Sequence, residues 1–391
     1  MKKVAFFSEI LIEDFDGANR TMFHIINRID PRSFTYLFVY GKGPDQFKDH
    51  LTYQVPTFRV PVNDDYSFAV PQLSKWKLEQ ALNAFNPDVI HIATPSLLGF
   101  FALNYAKKNN IPVISIYHTH FISYISYYLR NFSSLIKPIE KWTKKTMARF
   151  YNGCDMVYVP TQAMMKELQK IGIDSDKMAL WQRGIDMKLF SNKKRDVTYI
   201  QQITQNEKPN ILFASRLVWE KNIHTLIDIY RQLNIQQLDC NLIIAGDGSA
   251  KDEAMHQMPN AIFLGKLDHE ELSKLYASSD IFVFTSISET YGNVVVEAMA
   301  SGLPCIIANG GGSASLIEHA VTGYKCNPTN AKEYVYYIQK LLSNQMLYAR
   351  MQAEAFDYIQ NLDWRKLTET YFDDIRELAN SPQNSLAWVA S

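Results

Sequence analysis

The sequence has no pair of cysteines close enough to clip a metal or form a redox motif; its four, Cys154, Cys240, Cys305 and Cys326, are scattered. They read as buried reduced thiols. There is no net charge either, because 40 basic residues cancel 40 acidic ones. That balance argues against a general nucleic-acid binder and removes any global pull toward a membrane. No apolar run approaches the roughly 20 residues of a membrane span. The start reaches Glu9 before a signal-peptide core can form, so the expectation is a cytoplasmic chain. What is present is 391 residues, 47% hydrophobic and 20% charged. That length exceeds the size at which single cores stop growing, and it predicts two domains of an ordinary globular protein.

The most informative stretch is 285–302. An apolar run at 281–284 predicts a buried strand, followed by a loop carrying Glu289, Tyr291 and Gly292. From Asn293 the residues suit a helix with Val294, Val295, Ala298 and Met299 on one face. Gly292 therefore sits where a helix begins, and the unpartnered N–H groups and positive dipole end there favour a phosphate. Glu297, one turn inside, is suited to accept hydrogen bonds from neighbouring sugar hydroxyls. The plain alternative is one solvated Glu and one helix Glu.

Elsewhere strand and helix alternate at βαβ spacing. In the first half strands are predicted at 4–7, 36–40, 89–92, 113–116 and 156–159, with helices at 18–29, 74–85, 97–108 and 135–151. In the second half strands are predicted at 211–214, 241–245, 261–264 and 304–307. The loop after the first strand holds Gly17, and His118 and His120 follow the strand at 113–116. Two His two apart admit a metal reading, although no third ligand is evident, and a structural role for the ring is the stronger of the two. Arg216 and Lys221 lie five apart across a strand-to-helix loop, a fork and a point charge for one anion, or two exposed bases flanking Glu220. Residues 187–209 are polar and read as linker and loop. A final helix is expected from Trp364 to Leu378, and a frayed end after Asn380. The segment 135–150 places Lys137, Lys141, Lys144, Lys145 and Arg149 against Glu140 alone, which suits either an anionic bilayer or a solvated face.

Glu289 and Glu297 with seven residues between them, the Ser215-Arg216-Leu217 and Glu220-Lys221 runs, His118-Thr119 and Gly184-Ile185-Asp186 together resemble the retaining glycosyltransferases of family four. The runs 87–92 and 117–120 look like the branch with sulfoquinovosyltransferases and GDP-mannose-dependent mannosyltransferases, which act on lipid-linked acceptors. The resemblance implies an α/β chain of GT-B fold, two doubly wound Rossmann-like domains facing across a cleft. Residues 1–190 would bind acceptor, with helix 364–391 packing back on them, and residues 205–363 would bind a UDP- or GDP-sugar.

By the same resemblance, Arg216, Lys221 and the helix start at Gly292, Asn293 and Val294 meet the donor diphosphate. Glu289 and His118 orient the sugar, Glu297 the ribose, and Tyr291 and Lys266 flank the donor and its base. Gly17 approaches the phosphate, although the family often has two adjacent glycines and this chain has Gly17-Ala18. The implied reaction is metal-free transfer of a hexose, with retention, to a lipid or glycan acceptor, without a cofactor and with possible peripheral contact to a membrane. Rival readings are a nucleotide-sugar epimerase, which needs no acceptor, a non-catalytic sugar-nucleotide-binding protein, and a phosphorylase-like enzyme, which needs a pyridoxal lysine that the sequence does not identify.

Overall fold

The chain is described here by a computed structural model over residues 1–13, 15–59, 67–118 and 133–380. It divides into two units: residues 1–160, 165–181 and 365 onward, and residues 161–164 with 182–364.

Unit 1 contains β1 (Lys2–Ile10), β2 (Phe34–Lys42), β3 (Leu51–Gln54), β4 (Thr57–Arg59), β5 (Ser67–Ala69), β6 (Val89–Ile92), β7 (Val113–Ile116), β8 (Met156–Val159) and β9 (Met178–Leu180). Seven of them form one sheet in the order β3-β2-β1-β6-β7-β8-β9, parallel at every pairing. The runs Val89–Ile92 and Val113–Ile116 are buried throughout, as strands covered on both faces must be. β4 and β5 make a separate antiparallel ribbon with Phe58 opposite Phe68. Three-residue strands are too short to show a period, and the sequence reading lacks them.

The helix Trp364–Asn380 completes unit 1 from Arg365 on. The Trp181 indole donates to the carbonyl of Leu367 at 2.9 Å, and the Phe372 ring lies 5.0 Å from that of Phe34. Tyr371 brings its hydroxyl 2.9 Å from Nδ1 of His91 under the sheet. Residues 381–391, where fraying is expected, lie outside the described residues.

Unit 2 contains β10 (Asn210–Ala214), β11 (Asn241–Ala245), β12 (Ile262–Gly265), β13 (Ile281–Phe284), β14 (Cys305–Ala308) and β15 (Gly323–Cys326), again all parallel, in the order β12-β11-β10-β13-β14-β15. Every residue of β13 is fully buried. In both sheets the order reverses beside the first strand, between β1 and β6 and between β10 and β13. In open α/β sheets the loops at the carboxyl ends of such a strand pair are where ligands bind.

One expectation fails locally. Residues 187–209 are not a plain loop: they hold a short 3-10 turn at Asn192–Lys194 and a helix at Val197–Thr204. Asp196 caps that helix by accepting from Tyr199 N at 2.9 Å, and Ile200 is buried beneath it. Arg195 adds a 2.9 Å ion pair to Asp280, so the segment is tied into unit 2. Its Gln- and Thr-rich solvent face hides the apolar side from a composition reading.

Candidate active site

Two loops of unit 2 meet at the carboxyl ends of β10 and β13. The first, Ser215 to Asn222, ends in a turn at Trp219–Lys221. The second runs from Thr285 to Gly292. Hydrogen bonds join them: Ser288 Oγ to Glu220 O at 3.1 Å, Thr285 Oγ1 to Lys221 O at 3.0 Å, Asn222 Nδ2 to Thr285 O at 3.2 Å, and Lys221 Nζ to Glu289 Oε1 at 2.6 Å and to Ser288 Oγ at 3.5 Å. Lys221 and Glu289, 68 residues apart in sequence, are thus brought together. The lysine side chain is 5% exposed and the glutamate 22%. Ser286 Oγ also donates to Glu289 at 3.3 Å. A buried ion pair contributes little net stability against the cost of desolvating its members, whereas deleting one partner costs about 3–5 kcal/mol. Such a pair is better explained by what it presents than by what it stabilises.

Gly292 follows, and it is the N-cap of the helix Asn293–Ala300, with φ of 102° and no side-chain cap. A Cβ there would lie 2.7 Å from the Cβ of Ser313, so only glycine fits both the dihedral and the space. The loop is held from behind by Gly312, whose N–H donates to Glu289 O at 2.6 Å and whose own Cβ would fall 1.9 Å from Thr290 O. This clamp explains the glycine run at 310–312.

The remaining expected residues are placed as follows. Arg216, expected to converge with Lys221, is 62% exposed and held by Glu220 at 3.0 Å, because that carboxylate, 7% exposed, lies one turn away in the same loop. Tyr291 turns its ring into the core of unit 2, at 1% exposure, and donates its hydroxyl to Arg183 O at 2.8 Å. Only its backbone is left to meet a donor. Asn293 and Val294 are half-buried at the helix start. Glu297 is buried, with the Tyr276 hydroxyl 3.4 Å from its carboxylate. Burial first, and Glu297 second, push the Tyr276 phenol well above its ordinary range. Lys266 is exposed beyond β12, two strands from β10.

Gly17 and His118 belong to unit 1. His118 is buried two residues past β7. Thr119 and His120, the rest of the motif, lie outside the described residues. Gly17 is the first residue of the helix Gly17–Ile26, whose start is already capped: Asp16 accepts from Asn19 N at 2.8 Å.

Sequence reasoning missed Arg183, a buried residue beside Tyr291 and Asn293, as well as Ser288 and Asn222. For Arg183 the only signal was its place beside the Gly184-Ile185-Asp186 turn. A hollow of about 530 Å³ in unit 2, bounded by Arg195, Asn210, Asp280 and Tyr348, opens at the amino end of β10, away from these loops. Among the described residues no three His, Cys, Asp or Glu side chains gather as they would around a metal ion.

Comparison with known proteins agrees with this architecture. The description Glycosyltransferase Family 4 matches residues 15–189, and Glycosyl transferases group 1 matches residues 197–357. The chain is 29% identical over 373 residues to a GDP-mannose-dependent alpha-mannosyltransferase of Corynebacterium glutamicum, covering 93% of this chain and 86% of that one. It is 32% identical over 319 residues to the sulfoquinovosyl transferase SQD2 of Arabidopsis thaliana, covering 77% of this chain and 60% of that one. The crystal structure of Anabaena Alr3699/HepE in complex with UDP and glucose superposes with a TM-score of 0.74 at 20% identity, over 96% of this chain and 100% of that one, a likeness of fold. Two doubly wound parallel sheets, the loop pair that presents Lys221 and Glu289, and matches along nearly the whole chain place this protein in glycosyltransferase family four, as a hexosyltransferase of GT-B fold.

Proposed function

We propose that this glycosyltransferase moves a hexose from a UDP- or GDP-sugar to a lipid-linked or glycan acceptor, with retention of the anomeric configuration and without a metal. The observation that carries the reading is the Lys221–Glu289 pair beside an uncapped helix start. An ammonium has three donors, so Lys221 can keep Glu289 and also donate to a phosphate oxygen. The open N–H groups at Asn293 and Val294 meet the same diphosphate. Arg216, exposed in the same loop as Lys221, is assigned to the same diphosphate. Glu289 then accepts from hydroxyls of the sugar and Glu297 from those of the ribose. Lys266 is assigned to the base.

In the reaction, the bond from the anomeric carbon to the phosphate oxygen breaks as the bond to the acceptor oxygen forms. The acceptor proton passes to the departing phosphate on the same face, and positive groups set in place beforehand offset the charge that develops there. The names of the relatives, one GDP-mannose-dependent and one a sulfoquinovosyl transferase, support a nucleotide-linked hexose without choosing between bases.

The acceptor reading draws on the helix Ser133–Tyr151, which carries Lys137, Lys141, Lys144, Lys145 and Arg149 and exposes 67% of Trp142. An aromatic ring among cations suits the interface of an anionic bilayer, so we place the protein at the cytoplasmic face of a membrane, peripherally. No helix among the described residues is long and apolar enough to cross one.

The test is a donor panel of UDP- and GDP-hexoses with lipid and glycan acceptors, with and without chelator, the anomer of the product read by NMR. Retained configuration unaffected by chelator is expected. Inversion, or activity restored only by Mg²⁺ or Mn²⁺, overturns the mechanism, and conversion of donor without acceptor indicates an epimerase. Co-sedimentation with anionic vesicles, lost at high salt, tests the membrane contact.

A further inference from the structure

The helix Asn293–Ala300 begins without a side-chain cap, because its N-cap is Gly292. Val295 N already donates to Gly292 O at 3.0 Å, which leaves the N–H groups of Asn293 and Val294 to a ligand or to solvent. An uncapped start is open to an anion only while nothing local closes it. One side chain able to do so is that of Asn293 itself, since Asn amides readily accept from backbone N–H groups one or two residues away.

In this protein the Asn293 amide is engaged elsewhere. Arg183 Nη1 lies 3.4 Å from Asn293 Oδ1, and a guanidinium only donates, so the oxygen is the atom that faces it. Arg183 also accepts the Tyr291 hydroxyl on its carbonyl at 2.8 Å and sets its guanidinium 5.7 Å from the Tyr291 ring centre. It therefore grips the residues on both sides of Gly292 at once, and it is buried at 7% exposure. Burying a permanent cation at the positive end of a helix is electrostatically costly and needs a compensating purpose.

We propose that Arg183 is a positioning residue for the donor site: by holding the Asn293 amide oxygen it keeps that amide from capping its own helix, and so leaves the first N–H groups open to the diphosphate. This rests on reading the Gly292 turn as the donor site.

UDP and GDP, titrated calorimetrically into the full chain, separate the two ideas. If the unaltered protein binds neither, the donor-site reading fails first. If it binds one, Arg183→Gln is expected to weaken that binding about tenfold, equivalent to about 1.4 kcal/mol, and to raise KM for the sugar nucleotide more than it lowers kcat. Adding Asn293→Ala to Arg183→Gln should recover most of the lost affinity, because the competing amide is gone. A residue that merely supported the fold, or that touched phosphate directly, would not be rescued in this way. Should Arg183→Gln not melt cooperatively, Arg183→Lys carries the same test, with a weakening of about two- to threefold that Asn293→Ala again reverses. Unchanged affinity in the Arg183 variant, or a double variant no better than the single one, overturns the proposal.

Discussion

Two helices of this protein, one in each unit, follow the carboxyl end of a strand that flanks the reversal of its sheet: Gly17–Ile26 after β1 and Asn293–Ala300 after β13. They start in opposite ways. The first has Asp16 as N-cap, its carboxylate bonded to Asn19 N and to the Asn19 side chain. The second has a glycine held at positive φ and no cap. A capped start is structurally complete and already carries a negative charge, so a phosphate there meets repulsion and fewer open donors. An uncapped one is structurally unfinished until a ligand arrives. A helix start beside the sheet reversal is thus closed by its cap in unit 1 and, on the proposed reading, open to an anion in unit 2, and the expectation that Gly17 approaches the donor phosphate is weakened by Asp16.

The sharpest way to break the contrast is to remove the charged pair beside the open start. Lys221→Ala or Glu289→Ala should lower transfer by about a thousandfold or more, the scale of losing a preset charge at a leaving group. The two should differ in stability, because Lys221→Ala strands a partly buried carboxylate while Glu289→Ala strands a more deeply buried ammonium. Glu289→Ala is therefore expected to melt at the lower temperature, and turnover unchanged in either variant would remove the pair from the mechanism. Next in size is Gly292→Ala. The strained dihedral and the 2.7 Å approach to Ser313 should cost about 1–3 kcal/mol in chemical denaturation, with nucleotide affinity lost alongside. A variant as stable as the parent would show that the turn is not constrained as described.

Much of this was legible in the residues. Fully apolar Ile281–Phe284 could hardly be anything but a buried strand, and Glu289, Gly292 and Glu297 followed from where that strand stops. The pairing of Lys221 with Glu289 was not legible, because 68 residues separate them and only sheet order makes β10 and β13 neighbours. Arg183 was invisible for the same reason, its partners Tyr291 and Asn293 being more than a hundred positions away. For Arg216 the motif gave the identity, but not that Glu220, one turn on, would pair with its side chain. The helix Val197–Thr204 was lost because a single buried isoleucine on a polar segment makes a weak period, whereas the cap at Asp196 was present to be seen.

The units also differ in the polar groups their cores enclose, and acid should expose that difference. Unit 1 encloses His91, its ring centre 4.2 Å from that of Phe6, and burial pushes the imidazole down to about 3. Unfolded, it titrates near 6.5. Between these values the unfolded chain binds the extra proton, so His91 adds stability that is complete above pH 6.5 and lost as pH falls toward 3, at up to about 1.4 kcal/mol per pH unit. Urea denaturation at pH 7 and pH 5 should show the parent losing about 2 kcal/mol more than His91→Phe over that interval. Equal losses would mean that the ring is protonated inside the fold.

The smallest effect belongs to the capped start itself. Asp16→Ala removes the acceptor for Asn19 N and should cost about 1 kcal/mol of stability, read as a shift in urea midpoint without a change in slope. It also deletes the negative charge that distinguishes this helix from its counterpart. If the cap is what closes the unit 1 start to anions, phosphate at millimolar concentration should stabilise Asp16→Ala more than it stabilises the parent, since only the variant leaves the N-terminal donors of Gly17–Ile26 open. A phosphate effect of the same size in both would mean that capping does not decide which helix start accepts an anion, and the division of labour between Gly17 and Gly292 would have to be sought in the loops instead.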